Sequence, residues 1–502
     1  MNHVPRHALA AATASAVALL TAIAPATAQE ALKVGTTFLL GSTDPTAGSA
    51  GWALTSHGIG EKLFMVDKDG NLVPELAAQA ERNSELEWTV TLRSGRYFSD
   101  GTPVTAAAIG EGFANTFEKS KTAAATGGKL AFEAVDDLTL RVTTEKPVPL
   151  IQALFAEWPL VAYMLDDAGE AVYTGPYAIA ELKADSHLEL APNAHFDGTE
   201  RSPITLRKFG DAQTMALAFE AGGLDLAFGL PSEVLSRLKA NPDLTVKSFQ
   251  VGYQYFGFLN TARPAFSDPL VRQAVDLAID RDQLVAAING GQPATGAFAP
   301  YFPFTPAEAR EFDPEKAARL LDKAGWVVGP NGIRSKGGAP LRLEASTYPQ
   351  RPDLVTMLPV VKAALARVGI DVGTRVVENA NEVAASGEFD MFLWAQHTAP
   401  SGDPAFFFHS MLRSDGPLNH ARYGSEEFDA IIAGFSTSGD LERRAEIALD
   451  AQQKLFEDVP VTFLVSPAWH VGVSERLSGY EPWGSDYHVI RPDMGETRQQ
   501  LP

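Results

Sequence analysis

The sequence predicts an α/β protein built on open sheets and divided into more than one structural unit. Three observations carry that reading. Strand-like alternation and helix-like spacing take turns through the middle of the chain. Its 502 residues exceed the size at which single cores stop growing, roughly 250–300 residues. Hydrophobic residues make up 45% of it, with Phe, Leu and Val spread evenly, which excludes a disordered chain.

The elements follow in order. Residues 1–28 have the three parts of an export leader: Arg6 in a basic start, an uncharged run over 8–24, and the small-x-small site Ala26-Thr27-Ala28. The mature chain is expected to begin at Gln29 and to be soluble and exported. The uncharged run is too short and too rich in Ala and Thr for a span of about 20 strongly apolar residues. No Cys follows it and no Arg pair precedes it, which excludes a lipid anchor and favours the general secretion route. A strand is expected over 31–38, a helix over 54–64, and a turn at Lys68-Asp69-Gly70-Asn71. Strands follow at 88–93 and 138–143, with Thr105 capping a helix to about Phe117. Strands are expected again at 224–228, 254–259, 341–345 and 370–372. Helices are expected at 214–220, from Pro269, from Pro314 to a stop at Gly325, and over 359–368.

Composition then removes function classes. The chain has no Cys, so thiol catalysis, Cys-ligated zinc and iron–sulfur clusters are out. The formal charge is −21, against the clustered Lys/Arg that nucleic acid requires. No nucleophile elbow, P-loop, zinc-protease or dinucleotide-binding motif appears. The acidic pairs Asp136-Asp137 and Asp166-Asp167 are sequence neighbours whose side chains point apart, and His409 and His420 stand eleven residues apart, which suits neither a helix pair nor a strand pair. No enzyme and no cofactor are expected; a binding protein is.

Six stretches define a resemblance: GEKLFMVDKDGNLVPELA at 60–77, LRSGRYFSDGTPVT at 92–105, TGPY at 174–177, GFLNT at 257–261, DPLVRQAVDLAIDR at 268–281 and YGSEEFD at 423–429. In order and spacing they resemble the peptide/nickel class of periplasmic solute-binding proteins of ABC transporters, family 5. The resemblance implies a two-lobed periplasmic binding fold of class II, cluster C type, with an extra domain inserted in the first lobe. It implies lobe I from 29–55, 174–258 and 473–502, an inserted domain at 56–173, and lobe II at 259–472. The chain crossings would fall near Asn260-Thr261 and over 467–473. A monomer that hands a small solute to ABC permease subunits is implied, with no nucleic-acid partner.

The same resemblance directs the ligand search to 394–423. Peptide binders place an Asp before the acidic-Pro pair to hold a free amine; here Pro400 takes that place before Asp403-Pro404. Nickel and metal–chelate binders carry a His or Asn near the positions of Asn419 and His420. His420 is therefore expected to contact a metal that arrives chelated, with Arg413 pairing to a chelator carboxylate. The arginine of nickel binders after Trp158-Pro159 is missing from the run 160–165, leaving Arg96 or Tyr163 as substitutes. Trp52, Tyr255, Trp394 and His397 complete the expected ligand contacts, with Trp394 open to either ring stacking or packing and Asp403 read as fixing its loop. A metal–chelate is the first expectation and an oligopeptide the second.

Overall fold

A computed structural model describes residues 30–494. The leader at 1–28 and the last eight residues of the expected final segment lie outside the described residues.

Two sheets dominate. The first has seven strands in the order Tyr177–Lys183, His187–Pro192, Ile204–Lys208, Leu32–Thr36, Leu226–Phe228, Ala468–Val473 and Thr245–Gln250. Leu32–Thr36 lies parallel to both neighbours in its centre, which explains why four of its five residues are buried and its alternation is weak. The second sheet has six strands in the order Gln292–Pro293, Val461–Ser466, Tyr253–Leu259, Met391–His397, Arg342–Thr347 and Asp371–Val376. Each sheet has its own apolar core, one drawing on Leu32, Leu226 and Val473, the other on Phe256, Phe392 and Phe463. A third core, which includes Trp88, Phe98, Phe113 and Phe155, lies under the four-stranded sheet Ala77–Arg82, Glu87–Leu92, Thr139–Thr144 and Leu130–Ala134. The helix Ala106–Lys119 packs there, its start capped by the Thr105 hydroxyl, which accepts from Ala108 N at 3.3 Å.

The chain passes between the two large sheets twice. Thr245–Gln250 and Tyr253–Leu259 are joined by Val251 and Gly252, and Val461–Ser466 and Ala468–Val473 by Pro467 alone. The crossing expected at Asn260-Thr261 is therefore corrected by about eight residues, and the lobe boundaries at 258/259 and 472/473 move to 251–252 and 467. The physical reason is that Asn260 ends its strand at the far side of the second lobe. Its side-chain amide donates to the carbonyls of Gly387 and Phe389 at 3.0 and 3.2 Å. At the crossing itself, a Cβ on Gly252 would lie 2.3 Å from the His397 ring, so a residue without a side chain is required.

Two helices also differ from expectation. The helix expected over 54–64 is Ala50–Ser56, because Gly58 turns the chain with φ 68°. The helix expected to open at Pro359 opens at Pro352 and runs to Arg367, with Pro359 inside it.

Candidate interlobe crevice

The crossings bring the ends of both sheets together. Tyr253 and Tyr255, two apart on one strand, share a face. The first lobe answers with Phe38, just past Leu32–Thr36, with Phe228 and Trp469, and with the segment 483–488. That segment is tied across the crossing: the Gly484 carbonyl accepts from Gly252 N at 2.8 Å and from the Tyr301 hydroxyl at 3.2 Å. The Tyr487 ring lies parallel to His397 at 5.6 Å, while Tyr253 meets His397 edge-on at 5.4 Å and Trp469 at 5.4 Å. Cavities of ≈ 330 Å³ and ≈ 660 Å³ flank this aromatic wall; Asp486 faces the smaller and Tyr487 the larger.

The smaller cavity collects charge without pairing it. Burial raises the pKa of Asp353, whose Oδ2 accepts, among the described residues, only from the Tyr255 hydroxyl, at 2.9 Å. Burial also pushes Asp486 up to about 6, in spite of the hydrogen bond that Trp52 gives it, and its Oδ1 is buried without a partner among the described residues. The Arg351 guanidinium lies over the Tyr253 ring, 4.8 Å from its centre, and no carboxylate closes an ion pair with it among the described residues. The larger cavity runs between the region of the third core and the second lobe, past Glu157, Trp158, His397 and Pro400. Burial raises Glu157 to about 7, against a hydrogen bond from Ser401 and the nearby Lys62 charge. Lys62 is fully buried, donating from Nζ to the Ala156 carbonyl at 2.6 Å and standing 5.6 Å from the Tyr487 ring centre. His397 is held neutral, its pKa lowered to about 3 by burial and then by the Lys62 charge, and its Nδ1 has no partner among the described residues.

The expected ligand residues divide. Tyr255 lines the smaller cavity, Trp52 packs on Phe38 at 4.7 Å and donates to Asp486, and His397 stands in the wall. Trp394, Arg413, Asn419 and His420 are not brought to the crevice. Register decides this: Tyr253 pairs with His397 at the crossing end, whereas Leu259 pairs with Met391 at the far end. The segment 413–423 folds back to that far end, where Thr261 N donates to the Ala421 carbonyl at 2.8 Å. His420 meets Phe258 edge-on at 5.4 Å and donates to the Ala384 carbonyl. Trp394 packs on Tyr348 at 5.2 Å. Asn419 donates to the carbonyls of Arg413 and Tyr423 and accepts from Tyr423 N. Arg413 pairs with the exposed Asp415. Neither substitute arginine partner is free: Arg96 pairs with buried Glu61 at 2.5 Å, and the Tyr163 hydroxyl is bonded to Asn115 and Thr116. Asp403 does fix its loop, through a two-pronged pair with buried Arg444, whose Nε and Nη2 donate to Oδ1 and Oδ2 at 3.1 and 2.5 Å.

Arg351, Asp353 and Asp486 escaped the sequence reading. For the first two a signal existed: the Pro349-Gln350-Arg351-Pro352-Asp353 loop leaves the end of a parallel strand, where α/β sheets place ligands. Asp486 sits in a short irregular stretch that carries no pattern. Among the described residues no group of three or more His, Asp or Glu could hold a metal ion, and no helix is long and apolar enough to cross a membrane.

Comparison with known proteins agrees with this architecture. The family model described as bacterial extracellular solute-binding proteins, family 5 Middle, matches residues 71–419, more than half of the chain. The chain belongs to that family. It is thus a solute-binding protein of the two-lobed α/β kind, and not an enzyme. Among family 5 relatives, the nickel-binding periplasmic protein of Escherichia coli is 28% identical over 444 residues, covering 80% of this chain and 83% of its own. The periplasmic oligopeptide-binding protein OppA of E. coli is 26% identical over 467 residues, 82% of each chain. A solved structure of a nickel ABC transporter protein from Bacillus halodurans superposes with a TM-score of 0.83 at 25% identity, covering 92% of this chain and 99% of that one.

Proposed function

We propose that this chain is the periplasmic capture subunit of an ABC importer, enclosing a small polar solute between its lobes and presenting the closed form to the transmembrane permease. The observation that carries this is the crevice itself: two short crossings join two separately cored lobes, and unpaired charges from both lobes face one cavity of ≈ 330 Å³. One chain supplies both walls, so a monomer suffices. Closure is favoured only by contacts that exist in the closed state. A swing from 1:99 to 99:1 needs about 5.5 kcal/mol of such differential binding.

The cargo read first is a transition-metal chelate. Nickel-binding relatives support it, as does the neutral His397 imidazole in the crevice wall. A single imidazole binds metal weakly, so the ion would arrive already chelated. A short peptide is the second reading, favoured by the opposite charges on Arg351 and on Asp353 and Asp486. Native mass spectrometry of protein purified from its own periplasm, with metal analysis, separates the two. A metal adduct with its chelator supports the first, and a series of peptide masses supports the second. A protein that carries neither, and whose small-angle scattering is unchanged by every candidate, contradicts the capture reading.

A further inference from the structure

We propose that the region of the third core works as a latch, docking directly on the second lobe through the Pro149–Gly439 contact and through the hairpin tip at Gly70, so that part of the closing force comes from the protein and not from the cargo. This rests on the capture reading and adds to it the element that sets how firmly the crevice shuts.

The third core travels with the first lobe. Where the chain leaves that lobe and returns to it, Gly175 N donates to the Ile59 carbonyl at 2.9 Å and Tyr177 N to the Gly58 carbonyl at 3.1 Å. Val161, Tyr163 and Tyr173 belong to the first lobe's own core. Whatever this region touches on the second lobe is therefore a contact that opening breaks. At Gly439 the touch is backbone on backbone: a Cβ there would stand 2.2 Å from the Pro149 oxygen. Both sides are held. The Val148 carbonyl accepts from Trp88 Nε1 at 3.0 Å between two prolines, and the Ser438 carbonyl accepts from buried Arg444 at 2.6 Å. Gly439 does not have a positive φ, so its own turn does not ask for glycine; the contact does.

A second contact lies at the hairpin Phe64–Val66 and Leu72–Pro74. Its tip residue Gly70 is buried under the second lobe's Tyr301 and Phe302, and a Cβ there would stand 2.9 Å from each ring. A Cβ on Gly402 would lie 3.2 Å from Val66 Cγ2, and Val66 packs on the second lobe's core. Gly70 and Gly402 have positive φ and need glycine in either state, which leaves Gly439 as the position whose requirement belongs to the closed form alone. Leu150 lines both the larger cavity and an outer groove of ≈ 480 Å³ that Gly439 and Leu441 also line, so the Pro149–Gly439 contact stands at the rim. Apart from the hydrogen bond between Ser401 and Glu157, the contacts named here are apolar or backbone. Such a seam opens again readily, yet it lowers the differential binding that the cargo must supply.

The test uses the mature full-length chain with Gly439→Ala, and with Gly373→Ala as control, an exposed strand position of the second lobe whose added Cβ has its nearest listed neighbour at 3.8 Å. Isothermal calorimetry uses the nickel(II)–histidine complex and Ala-Phe-Ala as probes. Gly439→Ala should weaken whichever probe binds at least tenfold, and Gly373→Ala should stay within twofold. Thermal unfolding of the empty chain should match for both variants, which a merely structural role for Gly439 would not give. A second readout needs no probe. The chain has no Cys, so Val66→Cys with Gly402→Cys places a lone thiol pair across the seam. Oxidation of the empty double variant should close the disulfide and contract the radius of gyration in small-angle scattering. Should the left-handed backbone at Gly402 refuse a side chain, Val66→Cys with Ala399→Cys replaces it, since both positions line one space of ≈ 20 Å³. Probe binding by Gly439→Ala within twofold of the unaltered chain overturns the latch and leaves solute capture standing. A radius that is equal in the oxidised and reduced forms overturns it too. If neither probe binds, the cross-link alone decides the latch, and the capture reading falls only if protein from its own periplasm also carries no solute.

Discussion

The loop 348–353 and the turn 413–423 both belong to the second lobe and both are rich in polar side chains, yet they treat those side chains in opposite ways. In the turn, Asn419 spends its whole amide on backbone partners, His420 donates to a carbonyl, and Arg413 has its own carboxylate. In the loop, Arg351 has no carboxylate within ion-pair reach among the described residues and Asp353 has a single neutral donor. Residue type alone does not tell the two apart. What separates them is whether the folded chain satisfies its own polar groups: a satisfied set holds a loop in shape, and an unsatisfied set is left for something else to bind.

Substitutions in the turn should cost stability, and substitutions in the loop should cost binding. The largest effect is expected at Asp403→Ala, which strands the buried Arg444 guanidinium and should lower unfolding free energy by about 3–5 kcal/mol in urea titration. Asn419→Ala removes three hydrogen bonds inside the turn and should cost about 2–3 kcal/mol, with solute affinity unchanged. A loss of affinity without a loss of stability would move that turn into the binding site. His420→Ala should likewise leave nickel–chelate affinity within twofold, since its ring packs on Phe258 at the far end of the lobe; a tenfold loss in calorimetry would reinstate it as a metal contact.

Much of the fold was legible because its signals are local. Thr105 caps its helix, Pro269 and Pro314 open theirs, and Gly325 closes one with φ 85°. The hinge was misplaced because a strand looks alike at both ends. Tyr253–Leu259 has buried residues along nearly its whole length, so only pairing partners reveal which end meets the other lobe. The site was half legible for the same reason. Trp52, Tyr255 and His397 stood out as aromatic or imidazole groups near expected loops. Asp486 became visible only when the segment 483–488 was seen to thread the crevice.

A smaller effect concerns pH. Burial raises Glu75 to about 8 and Glu157 to about 7, so the folded state holds protons that the unfolded state has released, and stability should rise as pH falls from 8.5 to 7. Burial lowers His57 and His397 to about 3, so below pH 6.5 the unfolded state takes up protons that the folded state refuses, which offsets the continuing gain from the two glutamates. Each group contributes at most about 1.4 kcal/mol per pH unit. Urea midpoints should therefore rise from pH 8.5 to 7 and level off below about pH 6.5, and Glu157→Gln should flatten the alkaline limb. A midpoint that climbs steadily through pH 8.5 would contradict the burial of both glutamates.

The most direct measurement is small-angle scattering of the mature chain carrying its periplasmic solute and again after that solute is removed. The radius of gyration should be smaller with the solute bound. Equal radii in the two states would contradict the claim that the crevice closes on its cargo.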